Sequence, residues 1–308
     1  MTPRYVQRIW ESSLRAFGSP VRLDRYVLAL LFATLVWGLT FPVLKVATAS
    51  LTGIEVSALR FLIAAVCMAP FALRVPAHTW RTGCVLGALV LITYVAQAFG
   101  LEFISSNRSA FLTSLNVLMV PLLGIALGAR PSWLVVIAAV LACAGIGLMS
   151  YDGGAHLLAD AATVLGALGY AIYVILLSAR AKAHVPSQLA TAQMFWMALM
   201  GCLWMVWSSG IEGIRTLPSR VDGEIFVGLL YLGVVASAGM FFLQALAQRH
   251  VSAEKAAVIY AMEPVFAALF GWLWLSEVLT MRAALGAVIV VFAVVLSELK
   301  PASYPPPT

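Results

Sequence analysis

Ten stretches of about twenty mostly apolar residues follow one another along this chain. They lie at approximately 26–47, 56–73, 83–101, 110–128, 133–151, 159–178, 187–208, 225–246, 256–275 and 281–299. A helix that crosses the hydrocarbon core of a bilayer needs about 20 such residues. The runs are too long and too uniformly apolar for tilted barrel strands, which need about 10 residues of alternating character. Helices also satisfy their own backbone hydrogen bonds, as lipid requires. The pattern predicts an all-α integral membrane protein with ten transmembrane helices. Composition agrees: 62% of the 308 residues are hydrophobic and 10% charged, where soluble domains carry roughly 45–50% and about 25%. That balance excludes a soluble, a disordered or a disulfide-stapled protein. The four cysteines, Cys67, Cys84, Cys143 and Cys202, lie within apolar runs and read as small buried hydrophobes.

Charge sets the expected orientation. With the amino terminus inside, thirteen of the nineteen Lys and Arg residues fall on inner segments, while Glu55, Glu102, Asp152, Asp160, Glu212, Asp222, Glu224 and Glu277 lie outside. The positive-inside rule then places both termini in the cytoplasm, and the net charge of +6 reflects topology rather than a nucleic-acid partner. Residues 1–25 are Arg-rich and set Val6, Ile9, Trp10, Leu14 and Phe17 on one helical face. They read as an interfacial helix rather than a cleaved signal. The Pro-rich tail 301–308 reads as disordered.

The ten spans divide into two sets of five, expected at 26–151 and 152–300. Residues 35–38 align with 168–171 and 57–61 with 190–194, while Ser109 and Pro121 align with Ser252 and Pro264. Five is odd, so the second set must enter the membrane upside down. Two inverted five-helix repeats are a carrier architecture, with the substrate site near the midplane where the halves meet.

Three motifs carry a family resemblance. Trp37-Gly38-Leu39-Thr40-Phe41-Pro42-Val43-Leu44-Lys45 opens the first helix, and Ala58-Leu59-Arg60-Phe61 lies in the second. Glu263-Pro264-Val265-Phe266-Ala267-Ala268-Leu269-Phe270-Gly271 is followed by Ser276-Glu277 and Gly286. Together they resemble the EamA-type branch of the drug/metabolite transporter superfamily, over about residues 26–299. The first half departs from the pattern, with Gly128-Ala129-Arg130 where the second has the acidic turn. The resemblance implies ten helices, a bacterial inner-membrane location and export of small metabolites; it names no substrate.

Ionisable and amide groups at mid-span are costly in lipid and mark candidate sites. Glu263 sits deep in the ninth span, either as a proton-coupling carboxylate or as a hydrogen-bonded acid beside the Pro264 kink. Lys45, Glu55 and Arg60 come from the outer ends of the first two spans, as an outer-gate ion pair or as snorkelling charges. Arg60 is the best placed of the three to face a cavity, and Gln193 is its counterpart in the second half. Gln97 and Asn116 are interior amides, either interhelical links or ligand contacts. Trp37, Tyr94, Tyr170, Tyr173 and Tyr260 are aromatics at interior depth, either packing or the wall of a flat cavity. The candidate substrate-binding set is therefore Trp37, Arg60, Tyr94, Gln97, Asn116, Tyr170, Tyr173, Gln193, Tyr260 and Glu263. No cofactor, metal site or catalytic residue is expected.

A secondary carrier that exports small organic metabolites such as amino acids, by alternating access with Glu263 as a candidate proton site, fits these features. The expected partners are a small-molecule metabolite and the lipid bilayer; oligomeric state is left open. The alternatives are an intramembrane enzyme or a receptor or scaffold without flux. The sequence holds no Walker A, HExxH or GxSxG motif, and Ser252-Ala253-Glu254-Lys255 lies at a loop–helix junction without the companions of an SxxK enzyme.

Overall fold

The computed structural model describes residues 24–149, 156–274 and 280–298. The amphipathic segment expected at the amino terminus, apart from Asp24 and Arg25, the Ser276–Glu277 turn and the tail fall outside them. The described residues form helices and short connections, with no strand among them. We label the helices α1 (Arg25–Ala47), α2 (Gly53–Ala72), α3 (Ala77–Phe103), α4 (Ser106–Ser114 continuing as Asn116–Ala126), α5 (Trp133–Met149), α6 (Leu157–Arg180), α7 (Pro186–Arg220), α8 (Gly223–Leu230, Tyr231–Gly239 and Met240–Ala247), α9 (Ala253–Tyr260 and Glu263–Trp274) and α10 (Met281–Glu298). Eight are long and apolar enough to cross a membrane, and α5 and α10 are shorter apolar helices that bring the number to ten. Large apolar side chains such as Phe32, Val66, Leu122, Leu165, Leu203, Val227 and Leu273 face outward, a surface that only lipid solvates. The four cysteines are unbonded and none is fully buried: Cys67 is exposed, and Cys84, Cys143 and Cys202 are half-buried.

The packing maps onto itself when the halves are exchanged. α2 lies on α7, α4 on α9 and α5 on α10, each helix against its own counterpart. Three further contacts come in matched pairs: α1 on α8 with α6 on α3, α1 on α9 with α6 on α4, and α2 on α8 with α7 on α3. Side-chain contacts fix the directions. Tyr26 at the start of α1 stacks on His250 just beyond the end of α8, at 3.8 Å between ring centroids. At the opposite end, Arg108 near the start of α4 pairs with Asp160 in the first turn of α6. The end of α1 also lies there, since Lys45 Nζ donates to the carbonyls of Leu101 and Ile104 at the end of α3. α1 therefore begins at one end of the bundle and α6 at the other, so the repeats are inverted.

Several helices are interrupted, each for a local reason. Pro264 cannot donate to Tyr260 four residues back, and α9 breaks at residues 261–262 directly before Glu263. α4 breaks at Leu115, six residues before Pro121. α7 runs well beyond the expected 187–208; it turns at Gly210, whose φ of 64° lies in the left-handed region where a side chain would clash, and continues to Arg220. α8 carries a π-helical stretch, Tyr231–Gly239. Such wide turns shift the register of a helix and frequently occur at functional sites.

The histidine-bearing end joins the halves through polar contacts. Thr79 Oγ1 lies 2.8 Å from His184 Nδ1, the rings of His78 and His184 stack at 5.2 Å, and Gln188 Nε2 donates to the carbonyl of Arg74. Burial, then His78, then the Arg180 charge hold His184 below its ordinary value. The folded protein thus favours the neutral imidazole. The stability this contributes is complete above about pH 6.5 and is lost as pH falls from there toward the depressed folded value. Thermal stability is expected to decline from about pH 7 to about pH 5, and less steeply in His184→Gln than in wild type; equal slopes in the two proteins would refute the assignment.

Candidate functional site

The buried centre of the bundle is aromatic. Trp37 on α1 meets Tyr260 on α9 edge-on at 5.7 Å and Phe241 on α8 at 6.2 Å. Tyr94 on α3 approaches Phe241 at 6.0 Å, and Tyr170 on α6 approaches Tyr173 and Tyr260 at 5.6 and 6.0 Å. The five aromatics picked out by depth in the sequence therefore form one network drawn from both halves. Phe241 joins them, and nothing in its apolar run distinguishes it.

Three of the hydroxyls converge on Gln244, one turn along α8 from Phe241. Tyr173 donates to its Oε1 at 3.2 Å, and its Nε2 donates to Tyr170 at 3.1 Å and to Tyr260 at 3.0 Å. Both amide hydrogens and the carbonyl oxygen are thus in use. The hub ties α6, α8 and α9 together through a fully buried residue.

Next to this network lies a small internal space lined by Trp37, Thr40, Thr93, Tyr94, Gln97, Thr113, Tyr170 and Glu263. Its walls come from α1, α3 and α4 of the first half and from α6 and α9 of the second. A water's centre can occupy about 10 Å³ of it, which is room for one molecule. Gln97 Nε2 donates to Thr113 Oγ1, and Thr93 Oγ1 donates to the carbonyls of Leu89 and Gly166. Glu263 opens the second segment of α9, in the first turn, where the amino-terminal end of a helix favours a negative charge. Among the described residues its carboxylate takes part in no hydrogen bond or ion pair.

Arg60 lies deeper than the outer-gate expectation placed it. It is 1% exposed and one of the largest fully buried side chains. Its Nε donates to Ser237 Oγ in the π-helical stretch at 3.1 Å, while Ser237 itself donates to the carbonyl of Leu232. The guanidinium lies over the Tyr94 ring, 4.7 Å from its centroid, and 5.3 Å from that of Phe61. Trp37 Nε1 donates to the carbonyl of Ala236 in the same stretch, and Tyr231 donates to that of Val36.

Other sequence candidates lie elsewhere. Asn116 sits at the break in α4, donating to the carbonyl of Thr113. Gln193 is on α7 where it crosses α3, against Gly83 and Gly87, whose missing side chains allow the close approach. Neither lines the internal space. The outer charges also sort differently. Lys45 caps α3 as described. Glu55 accepts both forks of Arg220 at 2.6 and 2.8 Å, together with the Ser209 hydroxyl and the Thr52 amide. Ser252, the start of the apparent SxxK motif, is the cap of α9 and accepts from the Lys255 amide.

Comparison with known proteins places this geometry. The chain is 27% identical over 282 residues to an uncharacterized transporter of Archaeoglobus fulgidus, covering 89% of this chain and 85% of that protein. It is 27% identical over 290 residues to the uncharacterized transporter YwfM of Bacillus subtilis, covering 90% and 94% respectively. A solved crystal structure shares the fold with a TM-score of 0.72 at 15% identity, across 89% of this chain and 97% of that one. The sequence model of the EamA-like transporter family matches residues 24–151 and again residues 157–299. This multi-pass membrane protein belongs to the EamA-like transporter family.

Proposed function

We propose that this family member is a secondary carrier that moves small organic metabolites, amino acids or related compounds, out of the cell by alternating access. The observation that carries the reading is the internal space walled by both inverted halves, with Tyr94 and Gln97 on one side and Tyr170 and Glu263 on the other. A space with room for one water cannot admit a metabolite, so function requires the halves to separate on one side at a time. The units that rock are the five-helix sets 26–151 and 152–300. The His78–His184 contacts close the cytoplasmic end and the Arg108–Asp160 and Glu55–Arg220 pairs close the outer end. The basic bias of the first end supports this orientation in the bacterial inner membrane, with both termini inside.

Glu263 is the proposed proton site, being the carboxylate that lines the space. The binding set comprises the lining residues with Arg60, Tyr173 and Tyr260 behind them, and Asn116 and Gln193 as supports for the moving helices. The test is counterflow in proteoliposomes loaded with unlabelled amino acids and assayed for uptake of the labelled form. A carrier exchanges them; an enzyme or a receptor does not. In Glu263→Gln, exchange is expected to persist while uphill movement driven by a pH gradient falls to the level of empty liposomes. Gradient-driven movement equal to wild type would remove the proton role.

A further inference from the structure

Among the described residues no carboxylate touches the Arg60 guanidinium; Glu263 acts on it through space, without contact. The Arg60 Nε is satisfied by Ser237, yet its Nη2 is buried and, among the described residues, finds no acceptor. Arginine is rare inside transmembrane helices because an unpaired charge there is costly, and one held in a bundle marks a partner or a pathway. The surroundings of this one are arranged rather than accidental. Ser237 is presented by a π-helical stretch in which its own hydroxyl is anchored to the carbonyl five residues back. The guanidinium lies over the ring of Tyr94, which is also one of the residues that line the internal space. Tyr94 thus touches both the half-satisfied guanidinium and the space where the halves meet.

Resting on the carrier reading, we infer that the transported metabolite bears a carboxylate, and that Arg60 receives it as the contacting counter-ion it lacks. A carboxylate offers two acceptor oxygens in the spacing of the guanidinium fork, and such charge-assisted bonds are the strong ones in a site that excludes water. Holding Nε on Ser237 leaves the Nη side of the fork to meet the ligand. The body of the metabolite would then lie against Trp37, Tyr94 and Tyr170, which provide flat apolar walls. A cationic or a neutral metabolite would leave the Arg60 guanidinium with only the through-space field of Glu263 and no contacting counter-ion.

The test compares acids with their amides on the wild-type protein. Counterflow and thermal stabilisation are measured for L-phenylalanine, L-leucine, L-methionine and L-glutamine, each beside its carboxamide. For at least one pair the acid is expected to exchange and to stabilise, while its amide binds about ten- to a hundred-fold more weakly, the worth of one or two charge-assisted bonds. Arg60→Lys, which keeps the charge but not the fork, is expected to weaken the acid about ten-fold, and Arg60→Gln to equalise acid and amide. An acid and its amide exchanged equally by wild type would overturn the carboxylate anchor and leave the carrier intact. No exchange of any pair would overturn the carrier reading and this inference with it. Since acid and amide are compared on the unmutated chain, a folding defect in the Arg60 variants cannot mask the answer.

Discussion

Replacing Gln244 by leucine is expected to lower stability by roughly 2–5 kcal/mol and to abolish transport, though the two side chains are close in volume. In membrane bundles an interhelical hydrogen bond averages about 0.6 kcal/mol and reaches about 1.7. Gln244 makes three of them, to tyrosines on α6 and α9. Leucine would leave three phenolic hydroxyls in an aromatic core without the amide that pairs them. Those hydroxyls belong to rings that stack on one another and on Trp37, so the loss also loosens the wall of the internal space. Tyr173→Phe removes a single bond and should cost about a third as much. Denaturant unfolding of the purified protein in bicelles checks both. A Gln244→Leu protein within about 0.5 kcal/mol of wild type would mean that the hub holds nothing together, because changes of that size are ordinary for uncoupled surface sites.

The contrast between Gln244 and the residues visible in the sequence has a physical origin. Depth along a membrane helix is readable, since it follows from distance to the polar gaps. That is why Trp37, Tyr94, Tyr170, Tyr173, Tyr260 and Glu263 could be picked out, and why the packing of the two inverted sets could be expected. The face a residue occupies is another matter. Helices α1 and α3 are apolar almost all round, so the 3.6-residue period carries little about which side looks inward. Gln97 lines the space while Gln193 and Asn116 do not, although all three are amides inside apolar spans. In α8 the difficulty is sharper. The π-helical stretch Tyr231–Gly239 changes the register between its two flanking segments, so even a strong periodicity would have misplaced Ser237, Phe241 and Gln244. The break in α9 was legible because Pro264 dictates it. The long-range partner of Glu55 was not, because Arg220 reaches it only through the turn at Gly210, 165 residues further along the chain than its acid.

That outer pair supplies the second large effect. Arg220→Ala is expected to cost about 3 kcal/mol, the low end of the 3–5 kcal/mol for orphaning one member of a buried ion pair, since Arg220 keeps 29% of its side chain exposed while Glu55 keeps 2%. The Glu55 carboxylate would retain only the Thr52 amide and the Ser209 hydroxyl. In the Arg108–Asp160 pair the carboxylate is more open than Glu55, at 20%, and orphaning it should cost less, about 1 kcal/mol. Orphaning, rather than loss of attraction, is the source of the larger figure, so the double variant Glu55→Ala/Arg220→Ala should recover part of the stability lost in Arg220→Ala alone. Function should respond in the opposite sense. Glu55 stands on α2 and Arg220 on α7, the counterparts that pack together across the halves, so under the proposed alternating access either variant removes a bond that would hold the outer end shut. In a background lacking the four native cysteines, a cysteine placed at Thr113 should react faster with an impermeant maleimide added outside in both Arg220→Ala and the double variant. Stability and labelling would then separate: the double variant is more stable than the single one, yet as open. If the double variant were as unstable as Arg220→Ala, the buried carboxylate would not be the cause. If labelling of Thr113→Cys were unchanged in both, the pair would be a brace on α2 and not a closure of the outer end.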